Sequence, residues 1–435
     1  MKKLFTLLLG LPAIAIGTVS CTDEPGPEPP VAKKHRTVIE YMVADNNLYP
    51  YAENNINDME AAWNDDLDGH MVVYLHPVAS GSGEDFDPSP RLLLITRDQT
   101  SAIASRVLKT YGRDIDPCDP AVMRQVIADA MALAPAESYA LVFWSHGSGW
   151  IPKGMGQPLK SAVPAGGLDH AEHAPSKLIG SSVRAEVSDP QWTGNAAVGY
   201  SFGQSNSHGN SEMEIDAMAQ ALPAGTVFDF ILFDACHMAC IETAWELKDQ
   251  THYLIASAAE TLAAGFPYRK IIAPMFEPQA DVEAIGREFF DYYDTQTGAW
   301  RSATVGVVRC DRLPELAASV KALCQAGLPE AGISYAGQQY GRSAMGFDRT
   351  FYDLEDFVRQ TWGMYEPAGV SAFETALQEV VVYAAATPWL FDEIRVNTHC
   401  GLSCYLPRSS TPLSLEAYRT RFGWSAASGM GALVP

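Results

Sequence analysis

The chain has few basic residues for its size. Its 435 residues include 30 Lys and Arg against 52 Asp and Glu, so the formal net charge at pH 7 is −22. Proteins that bind nucleic acids need basic patches to displace the counterions of the phosphate backbone. The charge balance therefore argues against a nucleic-acid partner and favours a well-solvated acidic surface.

Long apolar runs are also scarce. The apolar stretch at residues 4–17 follows Lys2 and Lys3 and is too short to cross a bilayer with ease. Small residues and then Cys21 come next. A basic start, a short apolar core and small residues before a cysteine resemble a bacterial lipoprotein signal, which predicts cleavage before Cys21 and attachment of lipid to it. The alternative is an ordinary signal peptide with an incidental cysteine.

In the next segment, residues 21–36, the stretch at residues 22–30 is acidic and rich in proline. This composition predicts a stiff, disordered tether. No later segment is predicted to be transmembrane, so the anchor would be lipid. We therefore expect a signal peptide at residues 1–20, and an exported lipoprotein at the outer membrane or cell surface of a Gram-negative bacterium.

Cysteine is infrequent, and the number left for pairing is odd. If Cys21 carries lipid, seven of the eight cysteines remain, and they cannot all pair within one chain. An exported protein would then keep at least one free thiol. Such a thiol permits a nucleophile but does not prove one.

Beyond the tether, short apolar runs alternate with segments of helical spacing. We predict strands at residues 37–43, 71–75, 91–96, 139–144, 228–233, 253–257, 303–308 and 402–406. We predict helices at residues 120–133, 212–222, 238–248, 282–293, 313–326, 351–360, 370–386 and 415–422. The alternation indicates an α/β protein with a mostly parallel sheet covered on both faces.

Two of these strands are directly followed by residues that could take part in catalysis. One ends before His146 and Gly147, and the other ends before Asp234 and Cys236. Active sites of parallel α/β sheets gather at the carboxyl ends of the strands, so neighbouring strands would bring the histidine and the cysteine together. Cys236 is also predicted at the start of helix 238–248, whose dipole would favour the reactive thiolate. The backbone N–H groups of Gly147 and Cys236 are candidates for an oxyanion hole.

Other interpretations of these cysteines remain open. Residues 236–240 and 400–404 each form a C-x₃-C pair, a spacing compatible with zinc or with a disulfide. Cys240 is also compatible with a packed thiol, and His237 is expected to point away from the site. A further metal candidate is the stretch 169–173, DHAEH, for which a solvated loop is the alternative.

Several motifs together resemble the clostripain-like cysteine peptidases. The main ones are WSHGSGW at residues 144–150 and LFDACHM at residues 232–238, followed by ETAWEL at 242–247. Supporting stretches are YMVADNNL at 41–48, EMEIDAM at 212–218, YLIAS at 253–257, GFPY at 265–268 and YDLEDF at 352–357. The resemblance covers most of residues 37–360 and weakens beyond them.

The resemblance implies a caspase-like α/β/α sandwich with a mostly parallel central sheet and C-terminal additions. It implies that Cys236 is the nucleophile and His146 its base in an endopeptidase that works through an acyl-enzyme. Asp234 matches an acidic position of the family motif and is expected to support the site or to cap locally. The resemblance further implies a peptide or protein substrate and a monomeric chain, with no required cofactor and a calcium requirement left open.

The specificity loop departs from the family pattern. Family members that cut after Arg or Lys carry an acid in the loop that follows the strand after the nucleophile. Here Ala264 stands just before Gly265, where that acid is expected, and Glu260 looks structural. Arg or Lys specificity is therefore not carried over, which leaves a small or apolar P1 residue and a catalytically inactive surface binding protein as alternatives.

The sequence divides into a peptidase domain at residues 37–330 and C-terminal additions of helices and strands at residues 331–435, packed on the core. A span at about residues 150–211, rich in Gly, Ser, Pro and His, interrupts the pattern and is too long for an ordinary connection. It corresponds to the place where family members are often cut during maturation. The candidate cleavage positions within it are Lys153, Lys160, Lys177 and Arg184.

Overall fold

The computed structural model describes residues 30–81, 86–151, 201–342, 350–406 and 418–433. The signal peptide, Cys21, most of the tether and most of the span at 150–211 lie outside the described residues. Strand β1 begins at Lys34, inside the segment assigned to the tether, because Arg36 is held by Asp229 and by the carbonyl oxygens of Met275 and Glu277. No helix in the described ranges is long and apolar enough to cross a membrane.

The strands of the described residues are short and mostly buried. They are β1 (Lys34–Val43), β2 (Gly69–His76), β3 (Arg91–Leu94), β4 (Arg106–Thr110), β5 (Ala136–Trp144), β6 (Phe202–Ser205), β7 (Ser211–Met213), β8 (Ile231–Asp234), β9 (Tyr253–Ala256), β10 (Thr304–Arg309), β11 (Phe351–Asp353), β12 (Val381–Ala386), β13 (Trp389–Leu390), β14 (Ile394–Arg395) and β15 (Ser403–Tyr405).

The α-helices of the same residues are mostly between six and fourteen residues long. They are α1 (Tyr49–Ala62), α2 (Pro120–Leu133), α3 (Ile215–Ala221), α4 (Ile241–Leu247), α5 (Tyr268–Met275), α6 (Val282–Asp294), α7 (Leu313–Ala326), α8 (Leu354–Trp362), α9 (Pro367–Val380) and α10 (Gly423–Ser428). Short 3₁₀ turns follow some of the strands, among them the turn Asn206–His208 after β6.

Nine strands form the central sheet in the order β12-β10-β9-β8-β5-β1-β2-β3-β4. The middle of the sheet, from β9 to β2, is parallel, while β3, β4, β10 and β12 pair antiparallel at its two edges. Strands β2 and β8 are buried along their whole length, as continuous apolar runs with cover on both faces require. The sequence-based expectation of an α/β sandwich with a large, mostly parallel central sheet is confirmed.

The helices pack in two groups. One group holds α1, α5 and α6, and the other holds α2, α3, α4, α7, α9 and α10. These two layers and the sheet between them make an α/β/α sandwich. The small sheet β6-β7 joins the core through β1, so the last part of the 150–211 span is ordered on the domain.

The prediction of one helix over residues 370–386 is wrong in its second half. Helix α9 ends at Val380, and the chain continues as β12, which pairs antiparallel with β10 at the sheet edge. Val381, Val382 and Tyr383 are β-branched or aromatic residues that favour a strand. The C-terminal part therefore completes one edge of the central sheet, while the domain boundary at residue 330 stays a prediction.

Two other helix starts are predicted too early. Residues 212–214 belong to β7 and its exit, so the helix predicted at 212–222 is α3, which begins at Ile215. Residues 351–353 form β11, which pairs with β15, and α8 begins at Leu354 with Asp353 as its N-cap. The helix predicted at 415–422 falls partly outside the described residues.

Candidate active site

The neighbouring strands β5 and β8 carry the two candidate catalytic residues to one edge of the sheet. The strands are parallel, with Trp144 opposite Asp234, and His146 and Cys236 each follow two residues later. A Cβ atom added to Gly147 would lie 2.8 Å from the carbonyl oxygen of Cys236. The loop after β5 and the loop after β8 are therefore in direct contact, and glycine permits that approach.

Asn47 orients the ring of His146. The histidine is 1% exposed, and its Nε2 lies 2.8 Å from Oδ1 of Asn47. Because an amide oxygen only accepts, Nε2 carries the proton, and Nδ1 of the neutral ring has a lone pair to accept one. The backbone is held as well, since the N–H of Gly203 donates to the carbonyl oxygen of His146 at 2.9 Å.

The sulfur of Cys236 receives a backbone hydrogen bond. The N–H of Thr261 donates to Sγ at 3.1 Å, and the Thr261 hydroxyl donates to the carbonyl oxygen of Ala235 at 3.2 Å. A donor aimed at sulfur favours the thiolate over the thiol. Cys236 has no exposed surface, so the described form is closed to a substrate.

The predicted helix at 238–248 begins later than the sequence indicates. Helix α4 runs from Ile241 to Leu247, and Cys240 before it is extended, with φ −109° and ψ 146°. His237 has a positive φ of 59°, which also breaks helical geometry. The expectation that Cys236 lies at a helix N-terminus is therefore wrong, and the N–H of Thr261 supplies the support expected from the helix dipole.

The ring of His237 is held by a backbone contact and by stacking on an aromatic ring. Its Nδ1 lies 3.0 Å from the carbonyl oxygen of Ala258, and its ring stacks on Phe351 with 4.0 Å between ring centroids. Burial lowers the pKa of His237 to about 4, so the ring is neutral near pH 7. The histidine beside the cysteine in sequence is thus held by Ala258 and Phe351.

The other cysteines behave as packed thiols. The sulfur of Cys240 lies 3.0 Å from the hydroxyl of Thr243, and burial raises the pKa of this thiol to about 12. The seven cysteines of the described residues form no disulfide with one another, which includes both members of each C-x₃-C pair. No group of metal ligands within the described ranges includes any of them.

Asp234 ties β8 to the loop that follows β9. This buried carboxylate accepts hydrogen bonds from the N–H of Phe266 at 3.1 Å and from the hydroxyl of Tyr268 at 3.2 Å. The same hydroxyl lies 2.9 Å from Oε1 of Glu40. Burial and these two carboxylates raise the pKa of Tyr268 well above its usual value, so the phenol keeps its proton.

An arginine that is distant in sequence pairs with Glu260 in the loop that follows β9. Glu260, 1% exposed, pairs with Nη1 of Arg342 at 3.3 Å, and Nε of Arg342 pairs with Glu393 at 2.8 Å. Ala264 and Gly265 are held through their carbonyl oxygens, which accept from Asn55 and from the hydroxyl of Tyr293. Glu260 thus takes part in a buried ion pair with Arg342.

Sequence reasoning missed three residues of this site. Asn47 lies in the stretch 41–48, which supports the family resemblance without marking this side chain, and Thr261 acts through its backbone. Arg342 is 82 positions from its partner Glu260. Only the Asn47 loop carried a signal, because polar residues directly after a strand mark the active edge of a parallel sheet.

Comparisons with known proteins agree with this fold. The model of the clostripain family matches residues 40–162 and 189–426. Among solved structures, the chain is similar to an inactive zymogen of a C11 protease from Parabacteroides distasonis, with 26% identity and a TM-score of 0.66, over 92% of this chain and 99% of that one. No curated protein matches the chain.

Two structures of a secreted C11 cysteine protease from Bacteroides thetaiotaomicron share the fold. One has 22% identity and a TM-score of 0.69, over 92% of this chain and 100% of that chain. The other, in complex with an irreversible peptide inhibitor, has 21% identity and a TM-score of 0.67, over 91% of this chain and 98% of that one.

Proposed function

Because this chain belongs to the clostripain family of cysteine peptidases, we propose that it is an endopeptidase with Cys236 as nucleophile and His146 as base. The observation that carries the proposal is the register of β5 and β8, in which Trp144 lies opposite Asp234. Both candidate residues follow that pair by two positions and so lie at one edge of the sheet. The hydrogen bond from Thr261 to the sulfur and that between Asn47 and the histidine prepare the two groups for proton transfer.

The reaction follows from these positions. Nδ1 of His146 takes the proton of the Cys236 thiol, and the thiolate attacks the carbonyl carbon of the scissile peptide bond. The oxyanion is stabilised by the N–H groups of Gly147 and Cys236. The imidazolium then protonates the leaving amine, the C–N bond breaks, and a thioester remains. Water, deprotonated by His146, hydrolyses the thioester, which releases the carboxylic acid and restores the thiol.

The closed site favours a zymogen-like form. Cys236 and His146 are 0% and 1% exposed. Ser201 and Gly203 lie in the last part of the 150–211 span. They form backbone hydrogen bonds with Ser148 and His146. We propose that cleavage in that span, at Lys153, Lys160, Lys177 or Arg184, loosens this contact and opens the site. An intact single chain in fully active protein would contradict this proposal.

The pocket favours a P1 residue without positive charge. Ala264 stands where an acid is expected, and Glu260 is compensated by Arg342. A cationic P1 side chain would therefore meet no free counter-charge from these two positions. We propose a small or apolar P1 residue.

The experiment that tests this function is cleavage of a mixed peptide library, with the Cys236→Ala protein as control. Cleavage after small or apolar residues, absent from the control, is expected. Cleavage mainly after Arg or Lys would contradict the pocket assignment. Absence of cleavage, even after treatment that cuts the 150–211 span, would favour the alternative of a surface binding protein on a peptidase fold.

Location and assembly are further parts of the proposal. We propose export, lipid attachment at Cys21, a monomeric chain and no required cofactor. A lipid anchor predicts that Cys21→Ser releases the protein from the membrane fraction. Retention of the Cys21→Ser protein in that fraction would contradict lipid attachment.

A further inference from the structure

A second cluster of chemically active side chains lies beside the peptidase site. Within the described ranges, the one group of His, Cys and carboxylate residues that could hold a metal ion is Asp45, His76 and His208, whose ligand atoms all lie within 4.8 Å of one another. Asp45 follows β1, His76 ends β2, and His208 belongs to the turn after β6. We propose that these three residues bind one Zn²⁺ ion.

Hydrogen bonds determine which nitrogen of His208 is available. The hydroxyl of Ser205 donates to Oδ2 of Asp45 at 2.7 Å and lies 2.8 Å from Nδ1 of His208. Because a hydroxyl has one proton and a carboxylate only accepts, the ring must donate from Nδ1. Nε2 of the neutral ring then carries a lone pair, yet it lies 3.4 Å from the carbonyl oxygen of Asp114, another acceptor. A cation or a proton at Nε2 would relieve this contact between two acceptors.

His76 offers the second lone pair. The side chain is 3% exposed, and its Nδ1 lies 3.0 Å from the hydroxyl of Tyr74. Its Nε2 has no hydrogen-bond partner among the described residues. Zinc binding through Nε2 requires Nδ1 of His76 to donate to the Tyr74 hydroxyl, as Nδ1 of His208 donates to Ser205, and a donor N–H on the other ring nitrogen is the arrangement that orients metal-binding imidazoles.

The donor set identifies the metal class. Two imidazole nitrogens and one carboxylate are ligands typical of zinc, which leaves a position for water, whereas calcium prefers oxygen ligands throughout. Asp45 is 2% exposed and already ordered by Ser205 and by the N–H of Ser207. Zinc bonds are about 2.0–2.2 Å long, so the ligand atoms, which lie within 4.8 Å of one another, would move towards a common centre when the ion binds.

The site is connected to the catalytic histidine. Asp45 precedes Asn47 by two residues, and the backbone of Asp45 accepts from the N–H of Asn206 at 2.8 Å. Asn47 holds the His146 ring, and Gly203, in the same segment as His208, bonds to the His146 backbone. A zinc ion would therefore join the loop that orients His146 to the last part of the 150–211 span.

The test is calorimetric titration of ZnCl₂ into chelator-treated full-length Cys236→Ala protein. This variant removes the catalytic thiol as a competing ligand, so zinc binding is measured independently of peptidase activity. We expect one ion per chain and a thermal transition that rises on zinc addition. His208→Ala and His76→Gln should each weaken binding by roughly 10–100-fold or more, whereas His252→Ala, an exposed histidine outside the cluster, should not.

Several outcomes would overturn the assignment. They are the absence of zinc binding, binding that survives both variants, and tighter binding of CaCl₂ than of ZnCl₂. Loss of binding in the His170→Ala/His173→Ala double variant, with none lost in His208→Ala, would place the ion in the stretch 169–173 instead. Thermal unfolding without zinc shows whether each variant folds, and His208→Ala, whose side chain is only partly buried, guards against misfolding of the His76 variant.

Discussion

Two regions of the molecule are in contact: the sheet edge with His146 and Cys236, and the loop of residues 259–266. Their structures depend on different parts of the sequence. At the sheet edge, two local motifs and the register of β5 with β8 are enough to place the residues. In the loop, Glu260 depends on Arg342, which is 82 positions away. Local sequence thus determines where Cys236 lies, whereas long-range pairing determines how the charge of Glu260 is compensated.

The same contrast separates what the sequence predicts from what it misses. Helices α2 and α7 have the predicted bounds because proline starts and apolar periodicity mark both. The local pattern predicts β12 as the end of a helix, because its strand partner β10 lies far away in the chain. The sequence does not reveal the cluster of Asp45, His76 and His208 for the same reason, since its members come from three separate segments.

The largest expected effect lies at the sheet edge. Cys236→Ala should lower kcat/KM by a factor on the order of 10⁴ or more, because the acyl-enzyme cannot form. His146→Ala should cause a similar loss. Peptide hydrolysis measured with both variants checks this, and Cys240→Ala is the matched control because its thiol bonds only within the packed interior. An equal loss in the control would show that the effect comes from the fold.

The next effect lies in the loop. Arg342→Met leaves Glu260 buried without its charge partner, which should destabilise the protein by about 3–5 kcal/mol. Denaturant unfolding measures this loss. The double variant Arg342→Met/Glu260→Gln should recover most of it, because the uncompensated charge is gone. A single variant as stable as the parent would show that the pair does not compensate the loop.

The pH dependence of stability tests the packing behind the nucleophile. His237 has a pKa of about 4 in the folded protein against an ordinary value of 6.5. The unfolded chain therefore binds more protons between these values, and stability falls as the pH drops from about 6.5 to 4, by about 3 kcal/mol in full.

The His237→Asn variant isolates this effect, because asparagine tolerates the positive φ and does not titrate. Its unfolding free energy should vary less than that of the parent over the same pH window. Glu242 works in the opposite direction, since burial raises its pKa to about 8 and its contribution is lost as pH rises from 4.5 to 8. Identical pH slopes for parent and variant would contradict the role of His237.

The smallest expected effect concerns the orientation of His146. Asn47→Ala removes the acceptor of the hydrogen bond that Nε2 of His146 donates, which is worth on the order of 1 kcal/mol, so kcat should fall about 5-fold with little change in KM. The pH profile of kcat should move as well, because the ring loses a neutral acceptor. Asn57→Ala, which removes a bond to the carbonyl oxygen of Ser101, is the control. A change confined to KM would place Asn47 in substrate binding instead.

The most direct test of the central claim is covalent labelling of the thiols. The protein is treated with a peptidyl acyloxymethyl ketone before and after limited proteolysis of the 150–211 span, and the modified cysteine is identified by mass spectrometry. We predict rapid modification of Cys236 alone, increased by proteolysis, lost in Cys236→Ala and strongly reduced in His146→Ala. Slow and equal labelling of several cysteines, or labelling unaffected by His146→Ala, would contradict the assignment of Cys236 and His146 as the catalytic pair.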